Sequence, residues 1–206
     1  MPIRAVIFDL GGVLVRTVDR LPRARLASRL ASRLGMTYEQ LSSLIFDNAS
    51  ARQATLGQLS TAAHWEAVRL SLGLSEQDFS IARDDFWGGD VLDAALVDYI
   101  RKLRPIYKTA LLSNAWDNLR DVLERDWHIL DAFDQVIISA EVGLAKPDPR
   151  IYRMAAERLG VSPGEAVFVD DFPENLDGAR AAGLLTVHFR DRQQALDELA
   201  HLLDEG

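Results

Sequence analysis

The residues of this chain with the clearest potential for chemistry are carboxylates that directly follow runs of apolar residues. Asp9 ends the apolar run 6–8 and is followed by Gly11 and Gly12. Such a run indicates a strand, and the carboxyl ends of strands in an open parallel sheet are where ligands bind. Asp9 is therefore a candidate nucleophile or metal ligand, although the same pattern also starts ordinary turns.

Further polar side chains follow other apolar runs and comprise a hydroxyl, an amide, an ammonium and an acidic pair. They are Ser113, Asn114, Lys146, Asp170 and Asp171. The carboxyl ends of parallel strands meet at one edge of a sheet, so we expect these side chains to lie close to Asp9. A helix cap accounts for one Asp but not two, and adjacent carboxylates repel each other unless a cation is present. The acidic pair therefore favours a metal site.

This combination of groups suits phosphoryl transfer, because a phosphate monoester is anionic and its site must supply positive charge. Mg²⁺ held by Asp9 and the acidic pair would supply that charge, since Mg²⁺ prefers carboxylate and carbonyl oxygens. Lys146 would neutralise a phosphate oxygen and the Asp9 carboxylate, while Ser113 and Asn114 would donate hydrogen bonds to the phosphate. In this hypothesis Asp9 attacks phosphorus and forms an aspartyl-phosphate, which water then hydrolyses.

The chain alternates short apolar runs with helical patterns, which is typical of an α/β protein. The apolar runs show little polar alternation, as expected of strands buried on both faces of a parallel sheet. The predicted strands are residues 4–8, 109–112, 135–138, 166–169 and 184–188. The predicted helices around them are residues 91–104, 116–125, 148–160, 173–182 and 192–204. This alternation predicts right-handed crossovers and a three-layer α/β domain with a parallel sheet.

Residues 16–88, between the first two predicted strands, are too many for one crossover and carry helical patterns without a convincing strand. Leu26, Leu30 and Leu34 recur every four residues, as on one face of a helix. Ser60 can cap a helix that extends to about residue 72. Because the segment follows Asp9 closely, we expect it to cover the strand ends as a lid. The predicted domains are a core of residues 1–15 and 89–206 and a small helical cap of residues 16–88.

The composition limits the classes of function open to the chain. Its 206 residues contain 23 Lys and Arg against 31 Asp and Glu, a formal net charge of −8, which argues against a non-specific nucleic-acid binder. The absence of cysteine excludes disulfides and thiolate metal sites. No apolar run approaches the length of a membrane span, and no signal peptide is evident. We expect a cytoplasmic protein with a small-molecule partner rather than nucleic acid or a membrane; no oligomeric state is predicted.

Four motifs occur in order and at compatible spacing across nearly the whole chain. They are Phe8-Asp9-Leu10-Gly11-Gly12-Val13-Leu14, Leu111-Leu112-Ser113-Asn114, Lys146-Pro147-Asp148-Pro149 and Phe168-Val169-Asp170-Asp171-Phe172-Pro173-Glu174-Asn175. Together they make the chain resemble a hydrolase of the haloacid dehalogenase superfamily. The resemblance implies a Rossmann-like core, an aspartate nucleophile at Asp9 and a helical cap at residues 16–88.

The resemblance also assigns roles to individual residues of the motifs. The expected catalytic residues are Asp9 and Lys146, and the expected substrate contacts are Gly12, Ser113, Asn114 and Lys146. The expected Mg²⁺ ligands are Asp9, the Gly11 carbonyl, Asp170 and Asp171. Asn175 is expected to orient Lys146 or the acidic pair, or to cap its helix locally.

One position departs from the pattern of the superfamily's phosphatases. They usually carry a second Asp two residues after the nucleophile, which protonates the leaving alcohol and later activates water. Here that position is Gly11, whose carbonyl can still bind metal. A smaller set of members has this Asp-x-Gly form and resembles sugar-phosphate phosphatases. Asp19 and Asp47 are possible proton donors, but each is more typical of a cap or turn residue.

The function that we predict is therefore a Mg²⁺-dependent phosphatase acting on a small phosphorylated metabolite. The first alternative is a 2-haloacid dehalogenase, because dehalogenases of the superfamily also lack the second Asp and work without metal. Their fourth motif typically has serines where this chain keeps Asp170 and Asp171, which favours the phosphatase. The second alternative is a non-catalytic protein that binds phosphorylated ligands after losing its acid/base residue.

Overall fold

A parallel sheet forms the centre of the protein, and the computed structural model describes residues 2–204. The strands are β1 (Ala5–Phe8), β2 (Val15–Thr17), β3 (Asp90–Leu92), β4 (Lys108–Ser113), β5 (Gln135–Ile138), β6 (Ala166–Asp170) and β7 (Leu185–His188). Five of them form one parallel sheet in the order β5-β4-β1-β6-β7. These are the five strands predicted from the sequence, so the predicted sheet is confirmed.

Helices connect the strands and account for most of the remaining chain. They are α1 (Leu21–Leu34), α2 (Tyr38–Phe46), α3 (Ala49–Thr55), α4 (Thr61–Leu72), α5 (Glu76–Trp87), α6 (Ala94–Leu103), α7 (Leu119–Asp121, continued by a π-helical turn Val122–Asp126), α8 (Ser139–Val142), α9 (Pro149–Leu159), α10 (Pro173–Ala182) and α11 (Arg192–Asp204). Short 3₁₀ turns occupy Leu130–Ala132 and Pro163–Glu165. No helix within residues 2–204 has both the length and the apolar character needed to cross a membrane.

The central strands are buried on both faces, which explains their apolar sequence. In β1, Val6 and Phe8 pack with residues of α6 and α11, while Ala5 and Ile7 pack with residues of α9 and α10 on the other face. All four side chains are at most 1% exposed. Helices thus cover both faces of the sheet, and the predicted three-layer α/β architecture is confirmed.

The helices α1–α5, called the helical insert below, occupy residues 21–87 and have a hydrophobic core of their own. Leu26 and Leu30 are buried in it as predicted, whereas Leu34 ends α1 and is 38% exposed. Ser60 caps α4 by accepting a hydrogen bond from the Ala63 N–H at 3.2 Å, and α4 ends at Leu72 as expected.

A two-stranded antiparallel hairpin joins the helical insert to the core, and the sequence analysis missed it. β2 pairs with β3, so strands lie where the sequence predicted only helices and domain boundaries. Three-residue strands are too short to show a period, which is why the pattern was not visible. Polar contacts hold the hairpin, with Thr17 Oγ1 donating to Asp90 Oδ1 at 2.6 Å. The division into two domains, and the lid role of residues 16–88, stay predictions.

The insert also contacts the core far from the hairpin. Gly57, between α3 and α4, has φ +70°, and a Cβ added there would lie 2.0 Å from the carbonyl oxygen of Ala140 in α8. On the loop after β4, the Trp116 ring lies 5.2 Å from the ring of Trp65 and 4.7 Å from that of His64. The insert therefore rests on the core at both of these points as well as at the hairpin.

We predict that Gly57→Ala destabilises the protein more than Gly35→Ala. Both glycines have positive φ, but a Cβ at Gly35 would meet nothing within 4 Å. The left-handed backbone alone costs about 1–2 kcal/mol for alanine. The clash with Ala140 should add about 1–3 kcal/mol for Gly57→Ala, because the insert must move from the core. Urea unfolding of both variants measures the difference. Equal losses of unfolding free energy would contradict the close contact between Gly57 and the Ala140 carbonyl.

Candidate active site

A buried ammonium group organises the carboxyl edge of the sheet. Lys146 Nζ lies 2.6 Å from Asp9 Oδ1 and 2.7 Å from Asp170 Oδ2. Its side chain is only 1% exposed, and those of Asp9 and Asp170 are 10% and 0% exposed. Asp9 follows β1, Asp170 ends β6, and these strands are neighbours in the sheet. The topology therefore brings together residues that are far apart in the sequence.

Asp170 is held by neutral donors as well as by Lys146. Asn175 Nδ2 lies 3.1 Å from both carboxylate oxygens, and the Phe172 N–H donates to Oδ1 at 2.7 Å. The hydroxyl of Tyr152 donates in turn to the Asn175 carbonyl at 2.7 Å. In this arrangement Asn175, near the start of α10, holds the Asp170 carboxylate that pairs with Lys146.

The loop that carries Lys146 is fixed by the side chain of Asn114. Asn114 Nδ2 donates to the Lys146 carbonyl at 2.8 Å, and the Lys146 N–H donates to Asn114 Oδ1 at 2.8 Å. From the sequence we expect this amide to contact a phosphate, but both of its ends bind the lysine backbone. The adjacent Ser113 ends β4 with little exposure, at 4%. Ser113 thus lies at the sheet edge, while the Asn114 side chain positions Lys146.

Two consecutive glycines after Asp9 have different surroundings. Gly12 has φ +78°, and a Cβ there would lie 2.0 Å from Oδ2 of Asp171, so only glycine admits the Asp171 carboxylate. The sequence analysis assigned Gly12 to substrate binding, whereas here it makes room for a carboxylate. Gly11 is exposed, its φ lies outside the left-handed region, and a Cβ there would meet nothing within 4 Å.

The three carboxylates of Asp9, Asp170 and Asp171 can converge on one metal ion. Each offers an oxygen, and these oxygens all lie within 4.8 Å of one another. Burial raises the pKa of Asp9 to about 7, Lys146 counteracts this, and the Asp170 carboxylate raises it further. Burial, and then the charge of Asp170, also raises the pKa of Asp171. Because one ammonium cannot balance three carboxylates, the site fits a hard divalent cation such as Mg²⁺.

The two proton donors considered in the sequence analysis lie elsewhere. Asp19 is exposed, and its Oδ1 accepts a hydrogen bond from the Leu21 N–H at 2.9 Å, where α1 begins. Asp47 is also exposed and caps the carboxyl end of α2. Neither belongs to the carboxylate cluster. Both residues therefore have the local roles that their sequence contexts favoured.

Two supporting residues escaped the sequence analysis. The Phe168 ring lies under Lys146, with its centroid 5.2 Å from Nζ, where it offers a cation–π contact to the ammonium. Gly178 in α10 lets that helix approach the lysine loop, because a Cβ there would lie 2.2 Å from the Pro147 carbonyl oxygen. A glycine inside a predicted helix signals such a close approach, although the sequence does not tell which backbone comes near.

The fold and this site together define a three-layer α/β protein with a buried centre of carboxylates and one lysine. The chain belongs to the haloacid dehalogenase-like hydrolase family, whose sequence profile matches residues 3–183. The resemblance recognised from the four motifs is therefore confirmed.

Several curated proteins are similar to this chain over most of its length. It is 30% identical to bifunctional epoxide hydrolase 2 of Sus scrofa, over 97% of this chain but only 38% of that protein. It is 30% identical to (S)-2-haloacid dehalogenase 1 of Pseudomonas sp. strain CBS-3, over 90% of this chain and 84% of that protein. It is 32% identical to phosphatase MT3486 of Mycobacterium tuberculosis, over 89% and 86% of the two chains. The chain thus spans less than half the length of the epoxide hydrolase.

Solved structures show the same architecture. A predicted hydrolase of this family from Porphyromonas gingivalis superposes with a TM-score of 0.79 and 25% identity, over 100% of both chains. A family enzyme from Bacteroides thetaiotaomicron, in complex with magnesium and inorganic phosphate, superposes with a TM-score of 0.70 and 26% identity, over 90% of this chain and 93% of that chain.

We predict that Lys146→Met lowers the free energy of unfolding by roughly 3–5 kcal/mol, because it leaves two buried carboxylates without their cation. An acid whose pKa is higher in the folded chain destabilises the fold as pH rises towards that folded pKa. Lys146 holds the pKa of Asp9 down, so the loss should be larger at pH 8 than at pH 5. Lys102→Met, at an exposed lysine, is the control for urea unfolding at both pH values. A loss of unfolding free energy that is independent of pH and equal to that of Lys102→Met would contradict the contacts of Lys146 with Asp9 and Asp170.

We also predict that Gly12→Ala weakens Mg²⁺ binding by about 10- to 100-fold, the size of effect seen when groups that orient metal ligands are changed. The new methyl group would displace the Asp171 carboxylate. Gly11→Ala keeps its backbone carbonyl and meets no atom, so it should bind Mg²⁺ as the wild type does. Isothermal titration with MgCl₂ compares the two variants. Equal affinities would show that Asp171 is not a ligand.

Proposed function

We propose that the protein is a Mg²⁺-dependent phosphatase that hydrolyses a small phosphorylated metabolite through an aspartyl-phosphate on Asp9. The observation that carries this proposal is the convergence of Asp9, Asp170 and Asp171 beside the buried ammonium of Lys146. Such a site offers a nucleophile and the positive charge that an anionic phosphate requires. The magnesium and phosphate bound by the Bacteroides thetaiotaomicron enzyme support the same ligand chemistry.

Each residue of the site has a role in this proposal. An oxygen of Asp9 attacks phosphorus, the bond from phosphorus to the alcohol oxygen breaks, and the alkoxide takes a proton from water. A water molecule then attacks phosphorus, which releases inorganic phosphate and restores the Asp9 carboxylate. Lys146 holds the Asp9 carboxylate and binds a phosphate oxygen, and the Ser113 hydroxyl donates a hydrogen bond to the phosphate. The Asn114 side chain keeps Lys146 in place. Asp9, the Gly11 carbonyl, Asp170 and Asp171 would hold Mg²⁺, which supplies positive charge against the phosphate oxygens when bound.

Dehalogenation is the second candidate, because (S)-2-haloacid dehalogenase 1 is 30% identical to this chain and Gly11 removes the usual acid/base carboxylate. The cluster of three carboxylates favours the phosphatase, since a haloacid already carries an easily displaced halide and gains nothing from two further carboxylates. A binding protein without turnover is the third possibility. These three functions differ in measurable ways.

The deciding experiment assays the wild type against a panel of phosphomonoesters and 2-haloacids, in EDTA and in MgCl₂. We expect hydrolysis of phosphomonoesters only with Mg²⁺, and loss of that activity in Asp171→Asn, because the cluster then lacks one ligand. Asp177→Asn, at an exposed position on α10, is the control. Release of halide in EDTA would favour the dehalogenase, and phosphate binding without turnover would favour the binding protein.

The residue at position 11 should govern how the rate depends on the leaving group. An alkoxide leaves as a strong base and needs a proton in the transition state, whereas a phenolate needs one far less. We therefore expect aryl phosphates to react much faster than alkyl phosphates, by up to about 10²–10⁴-fold. Gly11→Asp should narrow this gap, because its backbone and surroundings admit a side chain. Gly11→Asn, which cannot donate an acidic proton, is the control. Equal ratios of the aryl to the alkyl rate in the two variants would show that a carboxyl group at position 11 does not supply the proton.

A further inference from the structure

A cavity of about 540 Å³ lies between the helical insert and the loop that follows β4. The insert contributes Thr61 and Trp65 of α4 and Arg83 and Trp87 of α5, and the core contributes Asp117 and Asn118. Sites for small molecules usually have volumes of about 300–1,000 Å³, so this cavity suits a metabolite.

The cavity is close to the candidate active site along the chain. Asn114, whose side chain fixes the Lys146 backbone, is three residues before Asp117. Because consecutive Cα atoms are about 3.8 Å apart, Asp117 Cα lies no more than about 11 Å from Asn114 Cα. The rim of the cavity at Asp117 is therefore near the loop whose Asn114 side chain holds Lys146.

The lining of the cavity combines one positively charged group with aromatic surface. Arg83 is exposed and, within residues 2–204, forms no ion pair, whereas Arg25 and Arg29 of α1 both pair with Asp85 of α5. Trp87 lies one helical turn after Arg83 and is 41% exposed, so part of its indole ring is free to contact a ligand. Arg83 is thus a cation available to a ligand beside an accessible ring.

The carboxylate in the cavity is already engaged. Asp117 Oδ1 accepts hydrogen bonds from both the N–H and the hydroxyl of Thr61, where α4 begins. These bonds tie the core loop to the helical insert. Arg83, by contrast, has no such partner among the residues that the structure describes and can pair with a negatively charged ligand.

We propose that this cavity binds the alcohol portion of a phosphomonoester that carries a second acidic group, and that Arg83 pairs with that group. This inference rests on the proposed phosphatase function and specifies its substrate class. The carbon skeleton packs against Trp87 and Trp65, and the guanidinium forms charge-assisted hydrogen bonds with a carboxylate or a second phosphate. Either anion satisfies the same chemistry, and the experiment separates them.

The test measures kcat/KM with MgCl₂ for three matched substrates: 4-phosphooxybutanoate, its methyl ester, which keeps the phosphate but lacks the carboxylate charge, and 1,4-butanediol bisphosphate. We expect the wild type to prefer an acidic substrate over the methyl ester by about 10-fold or more, the effect of one charge-assisted hydrogen bond. Arg83→Gln should lower this preference by about 10-fold, and Arg83→Lys should retain part of it. Arg158→Gln, at an exposed arginine of α9, should leave the preference unchanged.

The outcomes distinguish this inference from the proposed function. A preference for the carboxylate or for the bisphosphate that depends on Arg83 supports the inference and identifies the anion. Hydrolysis of all three substrates with no preference, or with a preference that Arg83→Gln leaves intact, overturns the inference while the phosphatase stands. Failure to hydrolyse any phosphomonoester, activated aryl phosphates included, overturns both.

Discussion

The contact of the Lys146 ammonium with Asp9 and Asp170 is the interaction on which the rest of the site depends. Burying three charged side chains is costly, and it is tolerated only when the geometry is good and the remaining polar atoms are hydrogen-bonded. The distances of 2.6 and 2.7 Å meet the first condition, and Asn175 and the Phe172 N–H meet the second at Asp170. One ammonium leaves the carboxylates in excess, which is the arrangement that the proposed Mg²⁺ site requires.

Much of the surrounding structure serves to hold this lysine in place. Asn114 binds the lysine backbone from β4, and Gly178 lets α10 approach the same loop. Gly12 likewise leaves room for the Asp171 carboxylate, since any side chain at position 12 would collide with it. The helical insert is anchored to the core through Trp116, on the loop that begins at Asn114. The same loop thus contacts both the helical insert and the lysine loop, so it would connect substrate selection to chemistry in the proposed function.

The sequence predicted the strands, because strands buried on both faces are continuous apolar runs. It also predicted that polar residues meet at the sheet edge, because the carboxyl ends of parallel strands lie on the same side. It did not predict which polar atoms pair. Asn114 looked like a phosphate ligand, since nothing in its neighbours reveals the Lys146 backbone 32 residues away. The β2–β3 hairpin was missed because each strand has only three residues. Local patterns thus reveal elements, whereas pairings between distant segments depend on tertiary packing.

The central claim is that Asp9 forms a covalent bond to phosphorus, and trapping that bond tests it most directly. The wild-type protein is mixed with MgCl₂ and a ³²P-labelled phosphomonoester, quenched in acid during turnover, digested and mapped. We expect label on the peptide that contains Asp9, release of that label by hydroxylamine, and no label in Asp9→Asn. Steady hydrolysis with no labelled protein, or label on a peptide without Asp9, would contradict it.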